Sequence, residues 1–140
     1  MELGGEDGLF MKIVRREIPA AIVYEDEHTL AFLDNAPVSK GHTLVIPKQP
    51  VRNVFDAGQE AWTTVMETVR KLAPIVRDAV GADGVHINSN HEPEAGQKVF
   101  HLHVHIIPRT RGDAVHFWPT IESSDAEREA TASAIRERLA

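Results

Sequence analysis

Hydrophobic and polar positions alternate most strictly along Val99-Phe100-His101-Leu102-His103-Val104-His105-Ile106-Ile107. A period of two, built from β-branched and aromatic residues, predicts a strand whose two faces meet different surroundings. Phe100, Leu102, Val104 and Ile106 then share the core-facing side. His101, His103 and His105 share the other, with neighbours about 6–7 Å apart along the strand. Shorter runs at residues 21–24 and 29–33 flank the polar turn Glu25-Asp26-Glu27-His28 and predict a hairpin. Gly41 marks the turn into a third strand over 42–46, closed by Pro47 and Pro50. Residues 85–88 give a fourth, which makes the histidine strand the fifth. The polar loop 89–98 between these two is too short for a crossover helix, so they read as antiparallel neighbours.

The helices announce themselves by a change of period. Trp62, Val65, Met66, Val69, Leu72, Ala73, Val76 and Val80 follow helical spacing and read as core rather than as a ligand box. Asp56 with Gln59 suggests a capping box at the start of that helix, Pro74 a kink or break, and Gly81 the stop. Residues 1–8 are rich in Gly and acid and are expected to be loose. Asp7 is expected to cap a short helix over 9–16 with Leu9, Phe10, Ile13 and Val14 inward, ended by Ile18-Pro19. After Pro108 the chain reads as irregular through His116-Phe117-Trp118-Pro119. Ser124 with Glu127 then caps a final amphipathic helix ending near Leu139. The fold class is α+β: a five-stranded antiparallel sheet with one long and one or two short helices. Residues 1–140 read as one domain, with its core at about 10–109 and a C-terminal tail and helix over 110–140.

Composition narrows the chemistry. Hydrophobic residues make up 42% and charged residues 26%, the balance of a globular protein. A formal net charge of −6 argues against electrostatic binding of a nucleic-acid polymer, though one small nucleotide needs only local donors. The chain has no cysteine, which excludes disulfides and thiolate metal sites. It shows neither a run long enough to span a membrane nor a signal peptide, and the expected location is the cytoplasm.

A lone histidine in a strand is usually structural or solvated. Three in perfect alternation within an otherwise apolar segment point to chemistry, because imidazole changes charge near neutral pH, attacks electrophiles and binds metals. His101-Leu102-His103-Val104-His105-Ile106-Ile107 resembles the signature of the histidine triad (HIT) family, in its small bacterial-type branch. Four further blocks match in order: Ile13-Val14-Arg15-Arg16-Glu17-Ile18-Pro19-Ala20, Ala31-Phe32-Leu33-Asp34, Gly41-His42-Thr43-Leu44-Val45-Ile46-Pro47-Lys48 and Ala95-Gly96-Gln97.

The resemblance implies a nucleotide hydrolase or transferase that attacks the α-phosphate of a nucleoside phosphoramidate or dinucleoside polyphosphate. A covalent nucleotidyl-histidine forms and is then hydrolysed to nucleoside monophosphate. His103 would be the nucleophile, its ring proton held by backbone at His101. His105 would act on the phosphate and leaving group, with His101 and His42 behind as orienting groups. For the nucleoside end the resemblance implies Asp34 as the ribose carboxylate, beside Asn35, and Phe32, Ile13, Phe10 and Ile18 as the base slot. Asn88, Gln97 and the backbone near Val99 would hold phosphate oxygens, with Gly96 letting the loop approach closely. Lys98 departs from the small hydroxyl or acidic residue of some relatives, and its cation either meets the phosphates or points to solvent. Taken alone, Asp34 reads more simply as a turn former before Asn35-Ala36-Pro37.

Many bacterial members carry structural zinc on Cys-x-x-Cys and a later histidine. Here Gly8-Leu9-Phe10-Met11 and Pro50 stand at those places, so neither a metal nor a cofactor is expected. Two rival classes remain: a metal-dependent hydrolase using the His-x-His strand, and a non-catalytic nucleotide sensor. The outer histidines of a regular strand lie about 13 Å apart, too far to share one ion. The sheet edge, the long helix's apolar stripe with Trp62 and Met66, and the resemblance together imply a homodimer.

Overall fold

The structure is a computed structural model that describes residues 4–113 and 118–139. His116 and Phe117 of the irregular segment, and the first three residues, lie outside the described residues. The chain forms α1 (Leu9–Val14), β1 (Ile22–Glu25), β2 (Thr29–Leu33), β3 (Thr43–Pro47), α2 (Gln59–Val80), β4 (Gly84–Asn88), β5 (Val104–Arg109) and α3 (Asp125–Leu139). The five strands make one antiparallel sheet in the order β1-β2-β3-β5-β4.

Alternation along the strands splits the core in two. Ala31, Val45, Val104 and Ile106 face α2 and pack under its Val65, Val69 and Leu72. Leu30, Phe32, Leu44 and Ile46 point to the other face, where Phe10 and Ile13 of α1 cover them. The helix α1 has only six residues, so it covers part of that face. His105 projects on the same side, with Leu44 and Asn88 as its cross-strand partners. The β1–β2 turn is tied by Asp26, whose carboxylate accepts from Tyr24 Oη, the Thr29 hydroxyl and the amides of His28 and Thr29. Burial opposes ionisation there, yet those bonds hold the carboxyl at about 2.

Several expectations need correction. Asp56 does not cap the long helix; its carboxylate accepts the amides of Arg52 (3.1 Å) and Asn53 (2.9 Å), closing a turn one step earlier. Gly58 takes the N-cap position without a side-chain bond, and Gly81 ends the helix in the left-handed conformation at φ 69°. Pro74 is exposed and does not break the helix, which runs on to Val80. Asp7 belongs to a 3₁₀ turn, Gly5–Asp7, and α1 starts after Gly8 with no side-chain cap. It also ends two residues early, at Val14, because Arg16 turns the chain with φ 64°. The capping box of Ser124 and Glu127 does form, with reciprocal bonds of 3.1 and 3.2 Å. No described residue of α3 is buried.

The largest departure concerns the histidines. The ladder begins only at Val104, and residues 99–103 run outside it. His101 and His103 are therefore not a row on an open strand face; they are 2% and 7% exposed. Leu102 packs apart from the main core, with Val51 and Ala61, and Phe100 is only half-buried. Side chains do part of the work that ladder amides do elsewhere. His101 Nε2 donates to the carbonyl of Pro47 (2.9 Å), and the Ser89 hydroxyl donates to that of His103 (2.7 Å).

Candidate active site

Four imidazoles gather where β3, β5 and the segment before β5 meet, and their partners fix each proton. The amide of Val38 donates to His42 Nδ1 (3.0 Å), so the neutral ring carries its proton on Nε2. That Nε2–H donates to His105 Nδ1 at 2.9 Å, which leaves His105 with its own proton on Nε2. His103 Nδ1 lies 2.6 Å from the carbonyl oxygen of His101, an acceptor only. The proton of His103 is thus on Nδ1, and a lone pair remains on Nε2. Phe10 sets its edge against the His103 ring at a centroid separation of 5.2 Å, and the His105 ring lies 5.0 Å away.

The electrostatics agree with neutral rings. Burial pushes all four histidines below their ordinary range, His101 and His105 to about 4. Mutual repulsion of the rings adds to this at His105, whereas the bond to the His101 carbonyl opposes it at His103. A neutral, tautomerically fixed imidazole is the form in which histidine acts as a nucleophile.

Asp34 stands at the rim, half-buried. Its Oδ1 accepts the amide of Ala36 at 2.9 Å, the turn expected from its sequence context, while Oδ2 lies 3.6 Å from His42 Nε2. One carboxylate oxygen therefore stays available next to the histidine cluster. Asn35 is exposed beside it. Phe10, Phe32 and Ile13 are buried core residues between α1 and the sheet, with half-buried Ile18 packed against them. Asn88 sits opposite His105 on β4. Gly96 turns the chain at φ 92°, where an L side chain would be strained. Lys98 is exposed and Val99 half-buried.

Gln97 sits differently. It is 3% exposed, and all four of its hydrogen-bonding positions are taken by Asn53, Arg52, Val99 and Glu92 of the protein itself. His42, expected behind the nucleophile, instead bonds His105. Sequence reasoning missed Asn53, Glu92 and Ser89, and the Val38 amide that sets the tautomers. None carries a periodic or motif signal; Pro50 and the turn residues around 53–56 marked only a loop.

Asp34, His42 and His105 are the described residues whose ligand atoms cluster within 4.8 Å. They do not fit a metal ion. Val38 donates to His42 Nδ1, which forces the proton onto the very nitrogen that would have to ligate.

The HIT domain family model matches residues 15–112. The Bacillus subtilis (strain 168) protein called Protein hit is 48% identical over 104 residues, covering 74% of this chain and 72% of that protein. A solved structure of a HIT family member from Bacillus subtilis superposes with a TM-score of 0.88 at 42% identity, over 96% of this chain and 99% of that one. SMU.412c from Streptococcus mutans UA159 gives a TM-score of 0.89 at 40% identity, over 100% and 91% respectively.

Proposed function

This chain belongs to the HIT domain family, and from that premise we propose that it cleaves nucleoside monophosphate conjugates through a covalent nucleotidyl-His103 intermediate. Family membership supports a nucleotide-binding hydrolase or transferase kind of function. The observation that carries the finer reading is the 2.6 Å bond from His103 Nδ1 to the His101 carbonyl, which frees Nε2 for attack.

In the first step the Nε2 lone pair forms a bond to the α-phosphorus, and the bond from phosphorus to the leaving nitrogen or oxygen breaks with its electron pair. His105 is neutral without ligand. An anionic phosphate at its Nε2 favours uptake of one solvent proton by the His42–His105 pair, which gives up the Val38 bond to His42 Nδ1. The Nε2 proton of His105 then goes to the departing atom as the His42 Nε2 proton moves to His105 Nδ1. In the second step His105 takes a proton from water, whose oxygen attacks phosphorus. The phosphorus–nitrogen bond to His103 then breaks, and nucleoside monophosphate leaves. The Pro47 carbonyl orients His101, and the His101 carbonyl orients the nucleophile.

For binding, Asp34 Oδ2 accepts from the ribose hydroxyls, and the apolar slot of Phe10, Phe32, Ile13 and Ile18 takes a purine. Asn88 and the backbone from Gly96 to Val99 face the phosphates. Family members bind small nucleotides, often as dimers. For a dimer here the support is α3, none of whose residues is buried in one chain, with Ile135 at 57% and Leu139 at 80% exposure. Single-turnover assays with adenosine phosphoramidate and dinucleoside tri- and tetraphosphates test the reading. Release of nucleoside monophosphate from at least one is expected; no cleavage of any would refute it.

A further inference from the structure

Residues 99–103 bring His101 and His103 to the site without the support of the sheet ladder. Yet a nucleophile displaced by 1 Å loses on the order of 100-fold in rate, so some other part of the fold must fix this segment. A buried polar cluster lies against it. Gln97 Oε1 accepts from Asn53 Nδ2 (3.0 Å) and from the amide of Glu92 (2.8 Å). Gln97 Nε2 donates to the carbonyls of Arg52 (2.8 Å) and Val99 (3.1 Å). Asn53, only 1% exposed, also donates to Glu92 Oε2 at 2.5 Å.

The Glu92 carboxylate accepts both Arg52 Nε (2.8 Å) and Nη2 (2.9 Å). The same guanidinium lies 4.3 Å over the ring of Phe100, and the carbonyl of Val51 accepts the amide of Leu102 at 2.7 Å. Phe100 and Leu102 are thus gripped from the loop that follows β3, and Val99 through Gln97, which is itself tied to that loop. Glu92 pays for its place in backbone strain: φ 81° and ψ 153° is a region natural to glycine alone, at a cost of about 1–3 kcal/mol. Strain of this kind persists where surrounding bonds over-determine a conformation, and it gathers at ligand clamps and active sites.

We propose that Gln97, Asn53, Glu92 and Arg52 form a positioning clamp for the nucleophile. By holding residues 97–102 the clamp sets the His101 carbonyl, and through it the tautomer and direction of the His103 ring. The proposal rests on His103 being the nucleophile, and none of the four side chains needs to touch substrate.

Gln97→Leu keeps the bulk and removes the bonds. It should lower kcat about 10- to 100-fold, with the Kd for AMP within about threefold of wild type. Long-range 1H–15N spectra should show the single His103 tautomer giving way to a mixture. Glu92→Gly relieves the strain and is expected to fold, yet it loses both side-chain partners, so kcat should fall in the same direction by a smaller factor. Glu92→Gln retains an acceptor for Asn53 and Arg52 and should restore most of the rate. A folded Glu92→Gly enzyme with kcat within about twofold of wild type would overturn the clamp. So would a Kd for AMP rising in step with the loss of kcat. If Gln97→Leu does not fold, Glu92→Gly decides. If the wild type turns nothing over, the proposed function fails, and the clamp is judged on the spectra alone, where an unchanged His103 tautomer in both variants refutes it.

Discussion

Acid should unfold this protein early, and the histidine cluster says by how much. His101 and His105 titrate at about 4 in the fold, chiefly because they are buried, against about 6.5 in the unfolded chain. Above pH 6.5 both rings are neutral in either state and contribute nothing to the pH dependence. Between about 6.5 and 4 the unfolded chain binds the protons and the fold does not, so stability falls as pH falls. At pH 5 the deficit is 1.5 pH units at about 1.36 kcal/mol each, or about 2 kcal/mol per histidine. His101 is fully enclosed and carries that figure; His105 is half-buried and carries less, which puts the sum at about 3 kcal/mol. That is a large part of the ~5–15 kcal/mol a typical domain has. Asp26, held at about 2, adds its own loss only below the ordinary carboxylate range. Urea unfolding followed by tryptophan fluorescence at pH 7, 6 and 5 measures the slope. His105→Gln should flatten it by as much as one proton, about 1.36 kcal/mol per pH unit. A stability that is flat or rising from pH 7 to 5 would show that the rings are not held neutral, and would remove the electrostatic basis for nucleophilic attack.

Three further outcomes follow from the site and the surface. Asp34→Asn should weaken AMP binding about tenfold, the loss of charge from a hydrogen bond to ribose, with a smaller effect on kcat; unchanged affinity by calorimetry would move the ribose elsewhere. Purified protein should contain no stoichiometric zinc by elemental analysis and keep its activity in chelator, because His42 Nε2 is committed as a donor; one zinc per chain with chelator-sensitive turnover would favour a metal mechanism. Sedimentation equilibrium at micromolar concentration should give twice the chain mass, and a stable, fully active monomer would leave the open face of α3 without a partner.

Much of the fold could be read from the chain because it rests on periodicity. The hairpin, the third strand, the long helix and its Gly81 stop each follow from local patterns that tertiary packing did not override. Where two local interactions competed for one side chain, pattern alone could not choose. Asp56 could cap the helix or close the turn at Arg52 and Asn53, and it closes the turn. The alternation from Val99 to Ile107 is genuine, but strand pairing needs a neighbour, and β3 offers a ladder only as far as Val45↔Val104. Beyond that point Pro47 has no amide to give, and the His101 ring bonds its carbonyl instead. The site was legible to the extent that its chemistry lies in the triad. The amide of Val38 and the cluster of Asn53, Glu92 and Gln97 carry no motif. Their roles arise from contacts 4 to 44 residues apart, which only the folded chain displays.

The central claim is that His103 Nε2 becomes bonded to phosphorus during turnover. Rapid acid-free quenching of wild type with substrate radiolabelled at the α-phosphate, followed by peptide mapping, tests it most directly. The expected result is label on the peptide carrying His103, absent from His103→Ala, while that variant still binds AMP and has lost turnover by several orders of magnitude. Wild-type turnover with no labelled enzyme at any quench time, or near-normal turnover by His103→Ala, would contradict the account.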